Sequence, residues 1–177
     1  MNKRHGSAHL NMTANQIDRR GDAWELGLNG DYDAALGILE KLLDETPTDV
    51  VSLRMKGNLL ELKVLDLLEH SAKKLSSSPE YLAARRCYER ILELDPRNVT
   101  ARIDLGDHYK NLGANDKALE YYREAASALQ RTPNGSTWKQ DVRDLLERVT
   151  QLAKRDRLAG EAKSLEAWCR QALGAPE

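Results

Sequence analysis

The 177-residue sequence predicts an all-α fold, a solenoid of three stacked helical hairpins followed by C-terminal capping helices. Three observations predict it. A short phrase recurs in register, as Gly-Asp-Tyr-Asp-Ala-Ala-Leu at Gly30 to Leu36, Pro-Glu-Tyr-Leu-Ala-Ala-Arg at Pro79 to Arg85 and Gly-Ala-Asn-Asp-Lys-Ala-Leu at Gly113 to Leu119. Each phrase opens an amphipathic run, and the first two runs close on Pro47 and Pro96, each twelve residues after the alanine at Ala35 or Ala84. The composition is 41% apolar, 31% charged and 5% aromatic with no Phe, which is a helical rather than a β-rich profile. A single helical hairpin cannot bury its own apolar face, so recurrence of the unit implies stacking.

The first helix is expected from near Ala14 to Leu28, where Asn29 and Gly30 provide a left-handed stop. A second follows from Asp31 to Glu45. Alanine at positions 35, 84 and 118 has a steric reason: the two helices of a hairpin cross there, and a larger side chain would push their axes apart. Pro47 and Pro96 end the second helices, and Thr48 or Asp49, and Asn98, are placed to cap the helices that follow.

The middle unit departs from the other two by about fifteen extra residues between its halves. From Val50 to Leu75 there is no Pro and a single Gly, Gly57, so its first helix is expected to run on for six or seven turns, with Ser76 to Pro79 as a loop. Leu60, Val64, Leu67 and Leu68 recur along this overhang at helical spacing. They either pack on other parts of the chain or form a self-association surface, making a homodimer one expectation. After a turn at Pro133 to Gly135, capped by Ser136 or Thr137, come two apolar series. One is Trp138, Val142, Leu145, Leu146, Val149 and Leu152; the other is Leu158, Ala162, Leu165, Cys169 and Ala172, out of phase with the first. They read as two helices with a break between Lys154 and Glu161, covering the open end of the solenoid, with Trp168 as part of the cover.

These positions resemble the tetratricopeptide repeat, a helix-turn-helix unit of 34 residues. The third unit fits best, with Leu105, Gly106, Tyr109, Gly113, Ala118, Tyr122 and Ala125 at the family's spacings. The first unit fits in its second helix, through Gly30, Tyr32, Ala35, Leu39, Leu42 and Pro47, while Asp22, Ala23 and Leu26 replace the usual Leu, Gly and Tyr of its first. The middle unit has Leu53, Gly57 and Leu60, then Tyr81, Ala84, Tyr88, Ile91 and Pro96. The resemblance implies a right-handed superhelix with repeats at about 16–49, 50–98 and 99–133, an N-terminal tail over 1–14 that is expected to be disordered, and capping helices within 136–174.

In this family the first helix of each hairpin lines a concave groove that holds partner segments. The corresponding positions are Ile17, Arg20 and Trp24, then Val51, Arg54, Asn58 and Glu61, then Thr100, Ile103, Asp107 and Lys110. Arg20, Arg54 and Asn58 around Trp24 have the chemistry for an extended peptide: guanidinium groups take carboxylates, an amide pairs with backbone, and an indole covers an apolar side chain. The expected partner is another protein or a peptide segment, with the chain as adaptor or scaffold. The carboxylate clamp that some members use to hold chaperone tails is not matched. Arg54 and Asn58 resemble its first pair, but Asp104 stands where it needs Asn, and counted from the first unit Trp24 and Met55 break it.

Twenty-seven basic against 28 acidic side chains give a net charge of −1, so no global field favours nucleic acid. No apolar run reaches the ~20 residues of a membrane span, and Met1 to Thr13 lacks the apolar core of a secretory signal. Cys87 and Cys169 read as buried free thiols, which fits the cytoplasm. His5, His9, His70 and His108 have no zinc-site spacing, and no phosphate loop or nucleophile elbow is present. No catalytic residue, metal or cofactor is therefore expected.

Overall fold

A computed structural model describes residues 14–67, 72–132, 137–154 and 159–174. The described residues form helices α1 (Ala14–Leu28), α2 (Tyr32–Glu45), α3 (Val50–Leu67), α4 (Ala72–Ser77), α5 (Pro79–Leu94), α6 (Val99–Asn111), α7 (Asn115–Arg131), α8 (Trp138–Ala153) and α9 (Ala159–Ala172). Helices α1 and α2, α3 and α5, α6 and α7, and α8 and α9 pair as hairpins, and each hairpin stacks on the next through α2 with α3, α5 with α6 and α7 with α8. The architecture is an α-solenoid whose C-terminal cap is itself a hairpin, with α8 also reaching α6 and α9 reaching α7.

Local chemistry sets the boundaries. Gly30 and Gly113 end the first helices at φ 83° and 74°, the left-handed region that a side chain disfavours. Asp31, Ser78 and Asn98 accept hydrogen bonds from the backbone N–H groups of Ala34, Tyr81 and Ala101, satisfying donors that the first turn leaves open. Pro79 sits in the first turn of α5, where no backbone donor is needed. Thr137 makes no such bond, so α8 starts without the side-chain cap expected there, and Ser136 lies outside the described residues.

The repeat signature is a packing device. Ala35, Ala84 and Ala118 are fully buried. A Cβ built on Gly57 would lie 2.6 Å from the Tyr88 ring, and one on Gly106 would lie 2.2 Å from the Tyr122 ring. Glycine in the first helix thus seats a tyrosine of the second. In the first unit Ala23, also fully buried, takes the glycine position, and Leu39, smaller than tyrosine, takes the position of Tyr88 and Tyr122.

The expected long helix runs through residues 68–71, which lie outside the described residues. Helix α3 is described only to Leu67, five turns, and the short α4 packs on α5. Leu75 is buried with Val64 and Tyr81 in a small cluster, so the apolar stripe has a partner within its own unit. Leu60 and Val64 are therefore interior at 6% and 3% exposure and offer no surface for a second copy. Leu67 is 69% exposed, and Leu68 lies outside the described residues. The cap is well seated: Val142, Leu145, Val149 and Leu152 are fully buried, the Trp138 indole donates to the Leu129 carbonyl at 3.0 Å, and Trp168 packs half-buried against the core. Cys87 and Cys169 are both buried and unbridged, and burial pushes the Cys169 thiol up to about 12. No helix among the described residues is long and apolar enough to cross a membrane.

Candidate functional site

The inner face of the solenoid is built by α1, α3 and α6, and it falls into two unlike parts. In the first, Trp24 of α1 and Arg54, Met55 and Asn58 of α3 line an open depression of about 290 Å³. Trp24 is 39% exposed, and Ile17 and Val51, which share one repeat position on α1 and α3, are 56% and 52% exposed. Large apolar side chains with that much solvent contact on one face are unusual in a chain that buries its leucines elsewhere.

The polar residues around this depression are already engaged. Arg54 grips Asp104 of α6 bidentately, with Nε–Oδ2 at 2.6 Å and Nη2–Oδ1 at 3.0 Å. Asp104 is 8% exposed; burial lifts its carboxyl above the ordinary range, and the Arg54 guanidinium pulls it back. The Tyr88 hydroxyl donates to Asn58 Oδ1 at 2.9 Å, which fixes that amide with its NH₂ group left to donate. Arg20 is mostly buried and lies 3.7 Å from Asp49. The expectation that Arg20 and Arg54 stand ready for a partner's carboxylates is thus corrected: each guanidinium has an internal carboxylate.

The second part of the face is closed by cross-links. Glu61 of α3 meets His108 Nδ1 of α6 at 2.6 Å; the imidazole is fully buried, stacks on Tyr81 at 4.2 Å, and leaves Nε2 without a partner among the described residues. Burial raises the Glu61 carboxyl above its ordinary value despite the hydrogen bond from His108. Asp107 accepts from Lys110 Nζ at 2.9 Å, from the Tyr122 hydroxyl at 2.7 Å and from Arg148 Nε of α8 at 2.7 Å. Ile103 is 3% exposed, because α8 packs on α6 and draws it into the interior cluster that holds Val142 and Leu145; it does not line a groove.

Of the predicted residues, then, Trp24, Arg54 and Asn58 come together at one depression, Glu61, Asp107 and Lys110 join the cross-linked part, and Ile103 is core. Sequence reading missed Met55 as a lining residue and Asp104, His108 and Arg148 as partners. Asp104 had a signal, since it is the acidic residue at the position beside the groove series; Arg148 had none, because it arrives from the cap. Among the described residues no group of three or more metal-ligating side chains is placed to hold an ion.

A model of the tetratricopeptide repeat matches residues 79–136, the stretch that holds Tyr88 and the Gly106–Tyr122 pair. Over those residues the chain carries the tetratricopeptide repeat, and its helical-hairpin solenoid is the fold of that family. Among solved structures, the repeat chain resembles the human IFIT1 dimer with PPP-AAAA over 93% of its own length and 45% of that chain, with a TM-score of 0.54 at 21% identity. A structure of MamA is matched over 85% of this chain and 93% of that one at 20% identity, with a TM-score of 0.37. Among curated proteins, the human protein O-mannosyl-transferase TMTC3 is 35% identical over 71 residues, which is 40% of this chain and 6% of TMTC3. The chain thus spans a small part of TMTC3 and less than half of the IFIT1 chain.

Proposed function

We propose that this tetratricopeptide chain is a protein-interaction module that takes a segment of another protein on the inner face of its first two repeats, acting as an adaptor or scaffold. The observation that carries this reading is the Trp24–Arg54–Met55–Asn58 depression, where an exposed indole and a thioether stand beside a fixed amide. Because Arg54 and Arg20 are neutralised from within, the favoured segment presents an apolar side chain to Trp24 and Met55 and a backbone carbonyl to the Asn58 amide, in place of an acidic tail. The fixed guanidinium plane of Arg54 then shapes the wall of the pocket, and little side-chain entropy remains to be lost on binding. Buried, unbridged Cys87 and Cys169 support a reducing compartment such as the cytoplasm.

The test is selection of peptides from a displayed random library on the purified chain, followed by affinity measurement on Trp24→Ala and Leu67→Ser. Selected peptides should be rich in aromatic or long aliphatic anchors and should lose at least about tenfold in affinity on Trp24→Ala, the usual penalty for removing an interface anchor. Binding that survives Trp24→Ala but fails with Leu67→Ser would move the site away from the groove.

A further inference from the structure

The outer side of the third repeat carries a second depression, also about 290 Å³, where the turn after α5 meets α7. Arg97, Arg102 and Arg131 line it with Ser127, against a single carboxylate, Glu124. Arg102 lies two residues beyond Thr100 of the groove series, about 200° around the helix at 3.6 residues per turn, so this depression is independent of the peptide groove.

The three arginines differ in their duties. Arg102 is structural: Nη2 donates to the Pro96 carbonyl at 2.6 Å and Nη1 to the Asn98 carbonyl at 3.2 Å, holding the turn, while Nε lies 3.3 Å from Glu124 and offsets its charge. Arg97 and Arg131 are exposed, and neither guanidinium makes an ion pair or hydrogen bond among the described residues; the same holds for the Ser127 hydroxyl. With Arg102 balanced by Glu124, two free positive charges and a hydroxyl converge on one hollow in a chain whose net charge is −1.

We propose that this hollow binds a phosphate monoester, held by Arg97 and Arg131 with Ser127 as a third donor. A monoester carries close to two negative charges near neutral pH and has three acceptor oxygens, which matches two guanidinium forks and a hydroxyl. A carboxylate would leave one arginine uncompensated. An extended polyanion would meet Glu124 with only one hollow to occupy. The ester belongs either to a phosphorylated side chain of a partner or to a small phosphate compound, and the chemistry of capture is the same.

The experiment is an NMR titration of the isotope-labelled full chain at constant ionic strength near pH 7.5, with inorganic phosphate, a phosphoserine tripeptide, its unphosphorylated form and a short single-stranded oligonucleotide as separate probes. Phosphate and phosphoserine should give saturable amide shifts confined to residues 95–102 and 124–131. Affinity should be at least about tenfold weaker in Arg97→Gln/Arg131→Gln, and weaker again near pH 5, where the monoester dianion takes up a proton and becomes a monoanion. Both substituted side chains are exposed, so the variant keeps its fold, which circular dichroism checks. Tighter binding of the phosphoserine peptide than of phosphate assigns the site to a phosphorylated partner, and the reverse order to a small ester; either supports the proposal. Shifts that do not saturate, that persist in the double variant, or that are stronger with the oligonucleotide or the unphosphorylated peptide would overturn it. Trp24→Ala leaves this titration unchanged, which separates its outcome from that of the groove.

Discussion

The inner face divides along α3 into an open half and a tied half. Toward α1 the repeat positions hold Ile17, Trp24 and Val51, exposed at 56%, 39% and 52%, while toward α6 and α8 the equivalent series is knitted through Arg54–Asp104, Glu61–His108 and Asp107 with Lys110, Tyr122 and Arg148. The same repeat positions are thus left open to solvent at one end and tied together at the other. The tied half is where the cap docks: α8 supplies Arg148 and covers Ile103, so side chains that would line a groove become an interface between hairpins. The open half has no such cover among the described residues.

The largest expected effects come from the glycines of the two halves. In Gly106→Ala the new methyl would sit 2.2, 2.5 and 2.9 Å from ring carbons of Tyr122, a fully buried side chain whose hydroxyl is anchored on Asp107. Burial and the Asp107 bond both oppose a shift of the ring, and urea unfolding should show a loss of about 3 kcal/mol, the upper end for overpacking. Gly21→Ala on α1 meets nothing within 4 Å and is exposed, so relief of the helix penalty of glycine should raise stability by about 1 kcal/mol. Effects of equal size and sign at the two positions would erase the distinction between the halves.

The boundary pair comes next. Arg54→Ala strips the partner from Asp104, which is 8% exposed, and should cost about 2 kcal/mol at neutral pH, less than for a wholly buried pair because Arg54 itself is 43% exposed. Acidification should recover part of this loss, since a protonated Asp104 no longer needs a cation. Trp24→Ala removes a side chain in contact with solvent and should cost under about 1 kcal/mol while weakening segment binding at least about tenfold. A Trp24→Ala variant as unstable as Arg54→Ala would make the indole a structural residue.

How much of this was readable in the sequence follows the same division. The fold was legible because its determinants recur: alanine at 35, 84 and 118, glycine at 57 and 106, and tyrosine at 88 and 122 stand at fixed repeat positions, and three units in register corroborate one another. The positions facing inward were legible for the same reason. Their pairing was not, because Arg54 and Asp104 are 50 residues apart and periodicity gives direction without giving a partner. The insertion misled because helical spacing marks an apolar stripe without saying what covers it. Leu60 and Val64 then looked like a projecting stripe, whereas Leu75 and Tyr81 close over Val64.

The smallest effect expected is a slope, and it probes the tied half alone. Burial lifts the Glu61 carboxyl above its ordinary 4.5, and the hydrogen bond and charge of His108 offset only part of the lift. The folded chain therefore binds this proton more readily than the unfolded chain does. The stabilisation linked to it is fully present below pH 4.5 and is lost as the pH rises through the folded value. Asp104, also raised by burial, contributes a slope of the same sign in both proteins. Glu61→Gln deletes one titration and keeps the shape, so the unfolding free energy of the wild type should fall relative to the variant as the pH is raised from about 4 to about 7. Parallel profiles would mean that the burial of Glu61 is relieved by water reaching the Glu61–His108 pair, and a wild type that gains on the variant with rising pH would mean that the attraction of His108 outweighs burial and that this pair is the stronger of the ties across α3 and α6.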